Sequence, residues 1–236
     1  MNRDYRRFAA YFVLSVVLAA VMGVVFFLTA WTLSYWQAWV LMAAMIGSIG
    51  MVLLVSLARG EPVPVPRRSP SRSQVETESG PQGLPRSLRI AGPLVALAFV
   101  AALVVPGFDR RFGWSSVPPW ISLVAVLFFA AGWVISLRVR QEMVRWSSGP
   151  EEVQDWQIMS TGSFGVVRYP FATGSLLYQA AMPVALGSWW GLVPFAVTLM
   201  LNVVVLLYAE RIMREKVPGY AERLDKVDYR LVPYVW

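Results

Sequence analysis

The chain has 236 residues, 57% of them hydrophobic, and a mean hydropathy of +0.53, which excludes an ordinary soluble domain and predicts an integral membrane protein. It contains no Cys and no His, so a Cys or His zinc site, a thiol nucleophile and an imidazole general base are all excluded. The formal net charge of +7 comes from basic residues spread over the loops that flank apolar runs. With no recognition module among them, the expected partner is anionic membrane lipid and not nucleic acid.

Six apolar runs follow one another, at 8–30, 38–58, 91–105, 118–137, 171–186 and 189–208. Several approach the ~20 residues needed to cross a hydrocarbon core, while the third and fifth are short. The predicted fold is therefore all-α, a polytopic membrane protein of about six transmembrane helices ending in a helical hairpin and a cytoplasmic tail. Run 8–30 follows Arg3, Arg6 and Arg7 as a signal peptide would. It exceeds the length of a signal core and shows no clear small-residue cleavage site, so an uncleaved span is expected.

In the turn after the first run, Trp31, Tyr35, Trp36 and Trp39 suit an aromatic belt at a membrane interface. Segment 60–89, with PVPVPRRSPSRSQ and ETESGPQG, is too rich in Pro, Ser and Gly to bury a core and reads as a mobile cytoplasmic linker. It divides an N-terminal two-span hairpin (1–59) from a four-span unit (90–236). Pro118, Pro119 and Trp120 open the fourth span, where proline is tolerated in a first helical turn. The polar stretch from Arg138 to Pro170 reads as cytoplasmic surface. If all six spans cross, 19 of the 21 basic residues lie on one side and only Arg110 and Arg111 oppose them. Both termini are then expected in the cytoplasm, in a membrane of the bacterial inner type.

The most informative region is Thr161 to Tyr220. TGSFGVVRYPFATG leads into two apolar segments and then YAERIMREKVPGY, which puts Arg168 and Glu210 at the two ends of an apolar hairpin. This order resembles the isoprenylcysteine carboxyl methyltransferase and phospholipid methyltransferase family, whose members read T-G-P-Y-x-x-V-R-H-P-x-Y-x-G, a hairpin, E-E and P-G-Y. The resemblance covers 153–236 well and the two preceding spans loosely. Tyr169 stands at the family's His position, Ala172 at its Tyr position, and Ala209-Glu210 keeps the second of the paired acids.

The resemblance implies S-adenosylmethionine-dependent methyl transfer to a lipidic or amphiphilic carboxylate or amine at the cytoplasmic face. A sulfonium is already an activated leaving group, so a site without His is chemically sufficient if it aligns the reactants and excludes water. Arg168 offers a planar fork for a carboxylate; snorkelling to headgroups is the competing role. Pro170 fixes entry into the hairpin and biases Tyr169 toward extended backbone. Gly162 and Gly174 permit close backbone approach, and Tyr220 matches the family's tyrosine after the acidic helix.

Glu210 can face the cofactor's ammonium or sulfonium, or pair locally with Arg214 four residues on. The resemblance favours the first. Cofactor-binding candidates are thus Gly162, Arg168, Tyr169, Pro170, Gly174, Glu210 and Tyr220, with Arg168 and Glu210 also expected to act in catalysis. Asn202, polar inside the last span, is a substrate-contact candidate, with interhelical hydrogen bonding as the alternative. Two other functions compete: a catalytically decayed scaffold or partner-binding protein of the same fold, and a nicotinamide-dependent membrane reductase.

Overall fold

The computed structural model describes residues 2–60, 86–146, 167–216 and 229. Most of the expected linker, at 61–85, lies outside the described residues. Among the described residues six helices follow in order: α1 Asn2–Ala30, α2 Trp36–Ala58, α3 Arg86–Phe112, α4 Pro119–Trp146, α5 Pro170–Ala185 and α6 Leu192–Lys216. Stretches Phe12–Ala30, Trp36–Ala58, Gly92–Phe112 and Pro119–Val144 are long and apolar enough to span a membrane, and α6 carries the shorter apolar stretch Leu192–Tyr208. Large apolar side chains such as Leu14, Leu28, Leu54, Leu97, Leu127 and Met200 cover the outside of the bundle. In water such a surface is costly; in hydrocarbon it is the solvated face. The protein is a helical membrane protein.

Four boundaries differ from the sequence reading. The third helix runs on through Pro106 to Phe112, with Pro93 also inside it, because membrane helices accommodate proline where neighbouring groups take up the freed carbonyls. Its first residues, 86–89, had been expected in the linker. Helix α4 continues past Leu137 to Trp146, so Arg138, Arg140 and Glu142 stand on a helix and not in a polar loop. Helix α6 likewise continues past Tyr208 to Lys216, carrying Glu210 and Arg214 on consecutive turns.

Packing follows close backbone approach. Helix α5 lies most extensively against α4, α1 and α6 both lie against α3, and α2 against α4, whereas α5 and α6 meet much less. At the α4–α5 seam a Cβ added at Gly132 would come 2.6 Å from the Tyr178 nitrogen and 2.8 Å from the Gly174 carbonyl oxygen. One added at Gly174 would come 2.9 Å from the Gly132 oxygen. Between membrane helices, where lipid is as apolar as leucine, such small-residue seams let dispersion contacts and short interhelical distances drive association. Ala19, Phe26, Leu41, Met45, Ile49, Phe129, Leu137 and Met182 fill the core between α1, α2, α4 and α5.

The two ends of the bundle are tied differently. At one end Tyr35, placed in the aromatic belt by its sequence context, is fully buried and donates its hydroxyl to the Leu186 carbonyl at 2.6 Å. Burial pushes its phenol above the ordinary range, partly offset by Arg110, so it stays a donor. Trp31, Trp36 and Trp39 do lie exposed. Beside Tyr35, Asp109 is 1% exposed and accepts from the Ser115 N–H at 2.8 Å and from the Ser115 and Ser188 hydroxyls. The Ser188 oxygen in turn accepts the Gly191 N–H at 3.0 Å. The turn after α3 is thereby bound to the turn before α6. Near the opposite end, Gln141 of α4 donates to the Ser56 hydroxyl of α2, which donates to the Val52 carbonyl.

Candidate functional site

The end opposite Asp109 gathers the charges that the motif predicted. Pro170 occupies the first turn of α5, where its missing N–H leaves no helical bond unmade, and Tyr169 precedes it with φ −129° and ψ 64°. That non-helical setting is what a following proline imposes. It turns the phenol toward α6, where the Tyr169 hydroxyl donates to Glu210 Oε2 at 3.2 Å. The Arg168 guanidinium lies 3.9 Å from Glu210 Oε1. From the other side, Arg214 donates to the same oxygen through Nε at 3.2 Å and Nη2 at 3.0 Å. Glu210 is 5% exposed, against 14% for the Arg168 side chain and 41% for that of Arg214.

A carboxylate at that depth is costly unless its charge is met by cations and its lone pairs by donors. Both conditions hold here, so the long-range convergence of Arg168 with Glu210 and the local Glu210–Arg214 pair coexist. Among the described residues, two guanidiniums and one phenol meet this carboxylate, and the cluster is partly open at Arg214. Behind it, the Arg168 N–H donates to the Tyr229 carbonyl at 2.8 Å, which lays Tyr229 beside the entry to α5. This role of Tyr229 uses its backbone and is not visible from side-chain chemistry.

The remaining candidates separate. Gly174 is buried one turn into α5, facing Ser136 and Gly132 of α4, so its lack of a side chain serves helix packing there. Asn202 donates to the Thr198 carbonyl of its own helix at 2.9 Å, a back-bond within one turn. Ala172 lies on α5 with its carbonyl accepting from the Ser175 hydroxyl at 2.9 Å. Gly162 and Tyr220 lie outside the described residues.

Sequence reasoning missed the buried acid at the other end, Asp109. Its signal was an acidic residue in an otherwise apolar and basic stretch, FDRRFG, with serines at the two turns that converge on it. Among the described residues no group of three or more acidic side chains is placed to hold a metal ion. No family model, curated protein or solved structure matches the chain.

Proposed function

We propose that this protein transfers a methyl group from S-adenosylmethionine to a lipidic or amphiphilic carboxylate or amine at the cytoplasmic face of an inner-type membrane. The observation that carries the reading is the meeting of Arg168, Tyr169 and Glu210, from the start of α5 and the end of α6, in one largely buried polar cluster. The donor set suits the cofactor: a guanidinium fork for its carboxylate and an anion for its ammonium. When bound, the cofactor supplies a methyl group on a sulfonium that needs no general acid. What remains for the chain is binding and positioning. Arg168 holds an anionic group, Glu210 offsets positive charge in a poorly solvated place, and the Tyr169 hydroxyl fixes the Glu210 carboxylate.

Titration calorimetry on the purified protein in detergent tests this. Micromolar binding of S-adenosylmethionine is expected, weakened about tenfold or more by Arg168→Ala or Glu210→Ala, a loss of roughly 1.4 kcal/mol per decade. Absence of heat and of thermal shift at millimolar cofactor removes the proposal.

A second reading has its own support, because both Glu210 oxygens already have partners in Arg214 and Tyr169. In a scaffold protein that closed cluster would simply lock the end of the bundle. This version expects no cofactor binding and no change in cellular function on Glu210→Ala. A parallel titration with a reduced nicotinamide dinucleotide separates both from the reductase alternative.

A further inference from the structure

The bundle encloses a second space that the charged cluster does not reach. A cavity of about 150 Å³ lies between five helices, its walls including Met22 and Phe26 of α1, Met45 of α2, Phe129 of α4, and Tyr178 and Met182 of α5. Tyr178 is nine residues along α5 from Tyr169, about 13 Å at the rise of an α-helix. No charged side chain lines the cavity, and among its wall residues only Tyr178 and Trp133 carry a polar side-chain group, the Trp133 indole N–H having no hydrogen-bond partner. A mainly apolar cavity of this size accepts apolar guests.

Outside it, α1 and α2 form an apolar groove of about 690 Å³, bordered by Val24, Phe27, Leu28, Trp31 and Trp39. Met42 borders both spaces. A Cβ at Gly23 would lie 2.7 Å from the Met42 sulfur, so the glycine gives this flexible side chain room. An unbranched thioether side chain therefore stands between a groove on the hydrocarbon-facing side of α1 and the chamber inside the bundle. Leu18, half exposed on α1, stands at the chamber's rim.

We infer that this chamber holds the terminal part of a bilayer lipid's acyl chain, admitted from the α1–α2 groove past Met42. The surroundings select the occupant: spanning helices are bathed in hydrocarbon, and a chain end is the apolar group present there at high concentration. Four methionines in the wall, at 22, 42, 45 and 182, give it flexible and polarizable contacts that adapt to a chain's shape. The site is independent of methyl transfer.

The test uses the full chain in nanodiscs of phosphatidylcholine with a diazirine at the end of one acyl chain, followed by photolysis and peptide mass spectrometry. Met45 and Met182 are buried and closed to the surrounding bilayer, so labelling there requires entry. The expected pattern is labelling at both, in addition to the outward Val24 and Leu28. Met22→Trp, which fills the chamber, is expected to lower labelling at Met45 and Met182 about tenfold, and Met42→Ala to raise it. In each variant, labelling at Val24 and Leu28 reports that the bundle is inserted. Wild-type label confined to outward residues, or interior label indifferent to both variants, overturns the inference.

Discussion

Among the described residues each end of this bundle buries one carboxylate, and the two are satisfied in opposite ways. Asp109 is surrounded by neutral donors, two serine hydroxyls and a backbone N–H, all from the turns it joins. Glu210 is met by two guanidiniums and a phenol, with Arg214 reaching solvent. Neutral, enclosed donors make a clasp whose parts have no reason to exchange partners. Cations around an acid make a place where a charged ligand can compete for one of them. The same functional group thus marks architecture at one end and a candidate site at the other, and the distinguishing feature is the charge of its partners.

Substitutions break or sharpen this contrast, beginning with the clasp. Asp109→Ala leaves three donors without their acceptor, and each such buried group costs about 1–3 kcal/mol. A loss of roughly 3 kcal/mol or more is expected, read as a large fall in thermal midpoint, with cofactor affinity of the folded fraction unchanged. A folded protein that has lost binding would mean the ends are coupled. Glu210→Ala should cost less, roughly 2 kcal/mol, since Arg214 can turn to solvent while Arg168 is left partly buried. Its main effect should fall on S-adenosylmethionine binding, which calorimetry separates from the thermal shift.

Tyr169→Phe removes one hydrogen bond and should cost about 1 kcal/mol, with a several-fold weaker cofactor affinity if the phenol orients Glu210. Equal affinity in this variant would assign the phenol to packing alone. The smallest stability effect belongs to Arg214→Ala, roughly 0.5–1 kcal/mol, because this half-exposed guanidinium leaves the buried Glu210 carboxylate with Arg168 and Tyr169 as partners. Here the sign of the binding change is informative. Tighter cofactor binding means Arg214 competes for Glu210, whereas weaker binding places Arg214 with Arg168 in holding the ligand's anion.

Among the described residues the order of the helices was legible in the hydropathy pattern, because a spanning helix must be apolar along nearly its whole length, and four of the six expected spans are long and apolar enough to cross a membrane. The ends were not. Proline at 106 suggested a stop, yet α3 continues, and the charges from Arg138 onward suggested surface while the helix carried them outward. At the site, Arg168, Tyr169 and Glu210 could be placed together because a hairpin returns its two ends to one side. Gly174 could not be placed, since nothing in its local sequence distinguishes a glycine that admits a ligand from one that admits Gly132 of a neighbouring helix. Asp109 escaped notice because its partners are serines from distant turns, a residue type that gives almost no pattern. The pairing of Arg168 with Tyr229 escaped for a deeper reason, as it uses no side chain.

That last bond has an experimental corollary. Its donor and acceptor belong to the main chain, so replacing the Tyr229 side chain leaves the bonding atoms themselves in place. Removing the donor requires a change of backbone, such as Arg168→Pro or an ester in place of the amide at 168. The lip of the site is thus fastened by a contact that side-chain substitution alone does not address.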